Sequence, residues 1–427
     1  MMPRKGRKHN QILTPDVLSN LPDNVIDVIL VRLPCKDAVR TSILSKKWRY
    51  HWCRLTELTL DESHWPTEED CRDPTIKFSK IIYQFFTLHE GPITKFTLNL
   101  VDLGSTPEID NFIYFLSRNG IQHLVLHFAW DMECKLPSSL FMCSQLRHLD
   151  LHGCSLHPPS VFTGFDRLTS LELREVTISS EFLKSLISHC PLLQQLVLNM
   201  LNVYEMFNII EINAPMLRSF DFSGYISSIC LKNAPLLVKV SLTCYDNVED
   251  LDFAKSFESC SALEHLLLDL SYTEIFDEEA YEAPTRLSSD FNCVKRFYLP
   301  DIMLVDSYKL SLALCWIRSF PYLEYLEIEV YNIFGGGTGE SLELKRLSDM
   351  TFNHLREVKL QFGTRGMSQM QLIKLLLANS PVLVRMLINT RYLDDGTPDT
   401  RLKIFPEISN FLRASPKVEV VYKNSIS

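Results

Sequence analysis

Five histidines and two cysteines in the first half of the chain are of the residue types that bind zinc. They are His123, His127, His148, His152, His157, Cys143 and Cys154. His123 and His148 stand at one position of a recurring pattern, and His127 and His152 stand at another. On neighbouring strands, such positions bring no more than a pair of side chains close enough for tetrahedral ligation. We therefore predict no metal site, and interpret the histidines as polar residues on the solvent-facing side of a sheet.

A glycine-rich run from Gly335 to Gly339 has the composition of a phosphate-binding loop. That loop requires a Lys after its last glycine, whereas Glu340 follows here and would repel phosphate. The run is therefore interpreted as a connecting loop. The sequence also contains no nucleophile elbow, no His-Glu-x-x-His motif and no paired catalytic carboxylate motif. We predict that the protein is not an enzyme and needs no cofactor.

The bulk composition indicates a folded, acidic protein. Of the 427 residues, 46% are hydrophobic and 22% are charged, which are ordinary values for globular domains. The net charge of −9 argues against a nucleic-acid partner, because phosphate binding needs clustered Lys and Arg. The basic run Arg4, Lys5, Arg7 and Lys8 would be either a nuclear-import signal or part of a solvated tail. We predict a disordered basic tail over 1–15 and protein partners.

The twelve cysteines are scattered among apolar neighbours and form no C-x-x-C pair. They are therefore predicted to be free, buried thiols in a reducing compartment. No stretch of the sequence approaches the ~18 apolar residues that a membrane helix requires. We expect a protein of the nucleus and/or cytoplasm that does not contact a membrane.

A six-residue pattern, apolar-x-x-apolar-x-apolar, returns along most of the chain. Its twelve copies begin at residues 93, 121, 146, 168, 193, 217, 237, 263, 294, 323, 355 and 383. Their mean spacing of ~26 residues lies within the range of leucine-rich repeats. An earlier copy, Leu55-Leu58-Leu60, opens the array.

Each copy predicts one short strand, because residues two apart in a strand point to the same side. Stacked copies would form a parallel sheet on the concave face of a solenoid, covered by connecting segments. Two of these, Phe182 to Ile187 and Leu372 to Leu376, have helical spacing. Prolines stand two residues ahead of the pattern at 191, 215, 235, 321 and 381, and would end the preceding segment. The alternative is a generic α/β protein whose leucine-rich strands recur by chance.

Residues 16–53 have apolar positions at helical spacing and predict three helices. Pro22 can begin the first helix and Pro34 must end it. A second, short apolar stripe follows Asp37, and Ser45 could cap a third helix that carries Trp48 and Trp52. Helices this short bury little surface, so they would either bind a partner or cap the end of the repeats.

This segment resembles an F-box of the type common in plants. The resemblance rests on Leu21-Pro22, on Arg32-Leu33-Pro34, on Lys36 to Ser42 and on Leu44 to Arg49. It implies binding to the Skp-type adaptor of a Skp–cullin–F-box ubiquitin ligase and, through that adaptor, to a cullin. The adaptor-binding residues that it implies are Leu21, Pro22, Ile26, Ile29, Leu30, Leu33, Pro34, Val39, Leu44, Trp48 and Trp52.

The C-terminal region resembles the FBD region found behind plant F-box repeats. The matching segments are His354 to Leu360, Leu372 to Leu387 and Phe411 to Lys417. We therefore expect an α/β protein with a three-helix F-box at 16–53, leucine-rich repeats at 54–350, and FBD-like terminal repeats with a cap at 351–427.

The solvent-facing side of the predicted sheet is the candidate surface for binding an unknown protein substrate. Its predicted residues are His123, His127, His148, Asp150, His152, Glu172, Arg174, Arg296, Tyr298, Tyr325, Glu327, Lys359 and Arg385. A surface of polar side chains with a few aromatic residues among them is typical of protein interfaces. The predicted function is substrate recognition for a ubiquitin ligase. The alternative is a leucine-rich-repeat scaffold acting outside ubiquitination.

Overall fold

A computed structural model describes most of the chain. The described residues are 17–64, 74–100, 109–129, 134–159, 162, 164–200, 210–224, 229–245, 257–271, 287, 291–302, 307–330, 350–362, 367–390 and 407–423. The predicted tail at 1–15 and the glycine-rich run at 335–339 lie outside them. The chain divides into two compact units, Met1–Leu146 and Arg147–Ser427.

The first unit begins with a helical module, which we define as residues 17–54. Helix α1 (Asp23–Val31) starts after Pro22, and helix α2 (Cys35–Arg40) starts after Pro34. Proline suits these positions because the first amides of a helix have no partner within it. A 3-10 turn (Thr41–Ile43) and a 3-10 helix (Trp48–Arg54) follow.

The prediction that Ser45 caps the third helix was wrong. That segment begins after Lys47, has no side-chain cap, and is a 3-10 helix rather than an α-helix. Its position is instead fixed by the burial of Trp48 and Trp52, whose exposed fractions are 2% and 6%. Packing outweighs local capping in so short a segment.

The remainder of the first unit carries a parallel sheet covered by helices. The strands of this sheet are β1 (Glu57–Asp61), β2 (Lys95–Leu100) and β3 (His123–Phe128), and the helices are α3 (Pro74–Leu88) and α4 (Ile109–Arg118). The short strand β4 (Cys134–Lys135) does not belong to this sheet. Strands β1, β2 and β3 pair in parallel and in one register, so that Leu58, Phe96 and Leu124 are neighbours. These three residues are fully buried.

The second unit continues the same design over eleven parallel strands. In sheet order these are β5 (His148–His152), β7 (Ser170–Arg174), β8 (Gln195–Met200), β10 (Ser219–Gly224), β12 (Lys239–Cys244), β13 (His265–Asp269), β14 (Arg296–Ile302), β15 (Tyr325–Val330), β16 (Glu357–Phe362), β17 (Arg385–Thr390) and β18 (Glu419–Lys423). Equivalent repeat positions pair throughout, as Leu171 with Leu196 and Val358 with Met386 do. The predicted mixed α/β fold with a long parallel sheet is confirmed.

The segments between these strands are short helices and minor strands. They are β6 (Cys154–Ser155), α5 (Ser180–Ser188), β9 (Ile210–Asn213), β11 (Ile229–Asn233), α6 (Ser307–Arg318) and α7 (Met367–Asn379). Helices α5 and α7 confirm the two predicted helical segments. Ser179 caps α5 by accepting a hydrogen bond from the amide of Phe182. Strands β9 and β11 pair with each other as a separate parallel sheet.

A repeated turn leads into the strands. In the ten copies that begin at residues 146 to 383, the amide of the first apolar residue donates to the carbonyl three residues earlier, as Leu193 does to Cys190 over 3.1 Å and Leu323 does to Phe320 over 3.2 Å. The predicted prolines occupy the second position of this turn, where their fixed φ is favourable. The residue that supplies the carbonyl is itself buried in all ten of these copies.

Candidate protein-interaction sites

Four of the predicted site residues lie in the interior of the helical module. Ile26 and Leu30 are one turn apart on the inner face of α1 and are fully buried. Trp48 and Trp52 are also buried, and the Trp52 ring packs edge-on against Phe85 of α3 at a centroid distance of 5.1 Å. Because these four side chains have little or no accessible surface, the structure places them in the packing of the module rather than on its surface.

The outer face of α1 is apolar as well. Val25, Val28 and Val31 follow one another at intervals of three residues and are 37%, 57% and 59% exposed. Val28 stands about 180° around the helix from the buried Ile26–Leu30 pair, since each residue advances the helix by about 100°. A helix that is apolar on both faces is normally enclosed by protein. The composition of α1 therefore predicts that protein packs against its outer face, but this face is exposed in the structure.

Further exposed apolar side chains flank this face in sequence. Among the predicted site residues, Pro22, Pro34 and Leu44 are exposed and Leu21, Ile29, Leu33 and Val39 are partly exposed. The residues that the sequence reasoning did not select are Val17, Leu18, Val25, Val28, Val31, Ile43 and Tyr50. Ile43 alone is 88% exposed. The interval of three between the α1 valines shows that the helix has a second apolar stripe, but the spacing does not show which stripe is exposed.

Hydrogen bonds attach the chain before α1 to the 3-10 helix. Trp48 Nε1 donates to the carbonyl of Leu18 over 2.9 Å, and Lys47 Nζ donates to the carbonyl of Leu21. Lys47 also pairs with Asp23 at 3.0 Å. Its hydrogen bond and positive charge lower the pKa of the Asp23 carboxyl. The residues that precede α1 are thus fixed by hydrogen bonds from the C-terminal part of the module.

The histidines and cysteines do not form a metal site in the part of the chain that the structure describes. No group of three or more His, Cys, Asp or Glu lies close enough there to hold a metal ion. Cys143 and Cys154 are buried, and burial raises the pKa of the Cys143 thiol to about 12. His123 is exposed and His127 is partly buried on β3. His148 and His152 are partly buried on β5.

On β5 and β7, the predicted outward residues bind one another. Arg174 pairs with Asp150 at 2.7 Å and also with Glu172. His152 Nε2 lies 3.4 Å from a carboxylate oxygen of Glu175. These side chains alternate with the buried Leu149, Leu151, Leu171 and Leu173. This part of the polar face is a charged network with its partners already in place.

A second cluster crosses strands β14, β15 and β16, and we call it the tyrosine patch: Arg296, Tyr298, Tyr325, Glu327 and Lys359. Tyr325 donates to Glu327 over 2.7 Å, and Lys359 pairs with the same carboxylate. The Arg296 guanidinium lies 4.9 Å from the centroid of the Tyr325 ring. Tyr298 donates to Glu329 over 3.0 Å.

The tyrosine patch is held rigidly by these bonds. Burial, together with the hydrogen bond to Glu327, raises the pKa of Tyr325, and burial with the bond to Glu329 does the same for Tyr298. Both phenols therefore stay protonated as donors over the ordinary pH range. Arg385, on β17, is exposed beyond this patch and stands opposite Glu357 in the register. Tyr and Arg are the residue types most often found at the energetic centres of protein interfaces.

Two family models and several known proteins are similar to this chain. A family model described as "FBD-associated F-box protein At5g56370, LRR repeats" matches residues 109–328, and the F-box domain model matches residues 18–59. The Arabidopsis thaliana F-box/FBD/LRR-repeat protein At1g13570 is 31% identical over 421 residues, which cover 96% of this chain and 99% of that protein. The chain belongs to the F-box/FBD/LRR-repeat family.

Other members confirm the full-length similarity of this F-box/FBD/LRR-repeat protein. The Arabidopsis thaliana protein At1g51370, of the same description, is 27% identical over 88% of this chain and 90% of its own. The putative member At5g44950 is 24% identical over 92% of this chain and 96% of its own. The predicted resemblance to plant F-box, repeat and FBD proteins is confirmed. The predicted boundaries at 16–53, 54–350 and 351–427 remain predictions.

Family membership gives the general role of the F-box and of the repeats. F-box proteins are generally components of Skp–cullin–F-box ubiquitin ligases, in which the F-box binds a Skp1-type adaptor and the repeats bind substrates. F-box/LRR proteins are generally adaptors without enzymatic activity of their own. Within the described residues, none of the helices has both the length and the apolar character needed to cross a bilayer.

Proposed function

We propose that this F-box/FBD/LRR-repeat protein is the substrate-recognition adaptor of a Skp–cullin–F-box ligase. Its F-box module binds a Skp-type adaptor and, through it, a cullin, while the polar face of its repeat sheet binds a target protein for ubiquitination. The observation that carries the proposal is the exposed outer face of α1, with Val25, Val28 and Val31. Contiguous exposed apolar surface of this kind marks protein-interaction sites.

The tyrosine patch is the proposed centre of target binding. Tyr298 and Tyr325 offer large, rigid side chains whose ordering cost has already been met by their bonds to Glu329 and Glu327. The charged network of Arg174 on β7 has its donors and acceptors engaged, so we assign it a supporting role. A nuclear or cytoplasmic location is part of the proposal, supported by the free thiols of the described cysteines.

Co-expression with a plant Skp-type adaptor tests the first half of the proposal. Val28→Asp and Leu44→Asp should each abolish co-purification, because a charge would enter the apolar centre of the interface. Leu88→Asp is the matched control, since Leu88 is 49% exposed and Leu44 is 47% exposed, and Leu88 lies outside the module. A wild-type chain that fails to bind the adaptor would favour the repeat scaffold acting outside ubiquitination.

The second half is tested after proteasome blockade. Proteins captured by the wild-type chain should be lost from the double variant Tyr298→Ala/Tyr325→Ala and should be ubiquitinated by the reconstituted ligase. Val197→Ala, a change to a partly exposed residue on β8, should leave capture intact. Equal capture by the tyrosine variant and the wild type would move the target site away from the tyrosine patch.

A further inference from the structure

The helical module carries a positive charge in an otherwise acidic protein. Residues 17–54 contain seven Lys or Arg and three Asp, a net charge of +4, while the whole chain has a net charge of −9. Charge asymmetry between the parts of one chain is a property of the surface and indicates what that surface binds.

All three carboxylates of the module have partners within it. Asp37 pairs with Arg40 at 3.2 Å, Asp23 pairs with Lys47 at 3.0 Å, and Asp27 lies 3.4 Å from His51 Nδ1. The three carboxylates therefore contact Arg40, Lys47 and His51, and they do not neutralise the other cations of the module.

Of the five other cations, Arg54 pairs with Glu90 outside the module at 3.7 Å, and Lys36 is partly buried. The remaining three form an exposed positive surface. Arg32, Lys46 and Arg49 are exposed, and their side chains make no ion pair with a described residue. Arg32 directly follows the exposed Val31, and Arg49 directly precedes the exposed Tyr50. Lys46 is two residues after the exposed Leu44. The cations are therefore interleaved with the apolar side chains that the proposed function assigns to adaptor binding.

From this arrangement we infer that the module binds an acidic protein surface, whose carboxylates surround an apolar groove, and that Arg32, Lys46 and Arg49 steer the encounter. The inference rests on the proposed function and adds the charge of the partner and the role of these three residues. A protein is favoured over nucleic acid because exposed Val28, Val31 and Ile43 have no counterpart on a phosphate backbone. Charges at the rim of an interface act mainly on the association rate and its salt dependence.

The inference is tested by measuring association and dissociation rates with a purified plant Skp-type adaptor between about 50 mM and about 300 mM salt. Lys46→Glu/Arg49→Glu should slow association about three- to tenfold at low salt, and should change dissociation less than about twofold. The difference should shrink at high salt. Lys46→Gln/Arg49→Gln should give an intermediate rate, because it removes the charges without reversing them.

Lys80→Glu/Lys135→Glu is the matched control, because it changes the net charge by the same amount at exposed residues outside the module. Equal association rates in the control and in Lys46→Glu/Arg49→Glu would overturn the inference while leaving adaptor binding intact. Tight binding of labelled duplex DNA, lost in Lys46→Glu/Arg49→Glu, would overturn it in favour of nucleic acid. No adaptor binding by the wild type would instead overturn the proposed function, and the inference with it.

Discussion

Trp48 Nε1 donates a hydrogen bond to the carbonyl oxygen of Leu18, 2.9 Å away, and so joins the 3-10 helix to the backbone 30 residues earlier. Lys47 makes a similar bond to the carbonyl of Leu21. The Leu18 backbone is therefore fixed while its side chain remains 47% exposed. A residue held in this way can present an apolar side chain without the entropy loss that an unrestrained segment would suffer on binding.

The bond between Trp48 and Leu18 should contribute measurably to the stability of the module. We expect Trp48→Phe to lower the local opening free energy of α1 by about 1–3 kcal/mol, because the phenyl ring leaves the Leu18 carbonyl without its donor and the site underfilled. Hydrogen exchange at the amides of Ile26 and Leu30 measures this energy. Tyr50→Phe, at a side chain that is 61% exposed, should change it by less than about 0.5 kcal/mol. Unchanged protection in Trp48→Phe would contradict the expectation.

The strands could be predicted because their apolar spacing depends on strand geometry alone. All twelve copies of the pattern, and the earlier copy at Leu55, lie in or lead into parallel strands. Strand β18 was not predicted because its apolar spacing is shorter. One residue separates Val418 from Val420, whereas two residues separate the first two apolar positions in the other copies. Its parallel pairing with β17 extends the sheet in spite of this shorter spacing.

The surface of the helical module could be predicted only in part. Sequence located α1 and its apolar residues, but it could not distinguish Ile26, which is fully buried, from Val28, which is 57% exposed. Both are branched apolar residues of one helix. Only packing against Trp48 and its neighbours determines which of them faces inward, and such contacts between distant residues are not encoded in local spacing.

Gly164 occupies a backbone position that only glycine can fill. Its φ is +114°, and a Cβ atom added there would overlap the carbonyl oxygen of His189 at the end of α5. We expect Gly164→Ala to lower the free energy of unfolding by more than about 3 kcal/mol, as judged by urea denaturation. Gly120→Ala is the control. Gly120 has a φ of +74° with open space around it, so only backbone strain of about 1 kcal/mol should result. Equal losses in both variants would contradict the steric explanation.

Glu211 should give the second unit a stability contribution that depends on pH. Hydrogen bonds from Lys184 and Lys232 lower the pKa of its carboxyl from 4.5 to about 2. The unfolded chain therefore takes up this proton first as the pH falls. The contribution is fully present above pH 4.5 and is lost as the pH falls towards about 2.

Urea midpoints of the wild type and Glu211→Gln measure this contribution. The variant should be less stable at about pH 6, and the gap should narrow by about pH 3. Glu258→Gln is the control, because exposed Glu258 makes no ion pair with a described residue, and it should follow the wild type. A gap that stays constant over this window would show that the two lysines do not act through the charge of Glu211.

The carboxylate of Glu327 should be strongly coupled to Lys359 because both lie on the partly buried face of the tyrosine patch. Their side chains are only 15% and 30% exposed, and Gln361 donates to the same carboxylate over 3.3 Å. Lys359→Met removes the only Lys or Arg partner of Glu327 among the described residues. We expect a loss of about 1–3 kcal/mol in the free energy of unfolding, since a partly buried charge then has only neutral donors.

A double-mutant cycle with Lys359→Met and Glu327→Gln isolates the coupling between the two side chains. We expect about 1 kcal/mol, because a neutral amide at 327 no longer needs the ammonium group. The control cycle uses Glu57 and Lys95, a cross-strand pair at 3.6 Å whose side chains are 54% and 46% exposed. Solvent screens that pair, so its coupling should stay below about 0.5 kcal/mol. If the two cycles gave the same energy, the low exposure of the tyrosine patch would not strengthen its charge pair, and its rigidity would have to come from the tyrosine hydrogen bonds and the contact of Arg296 with the Tyr325 ring.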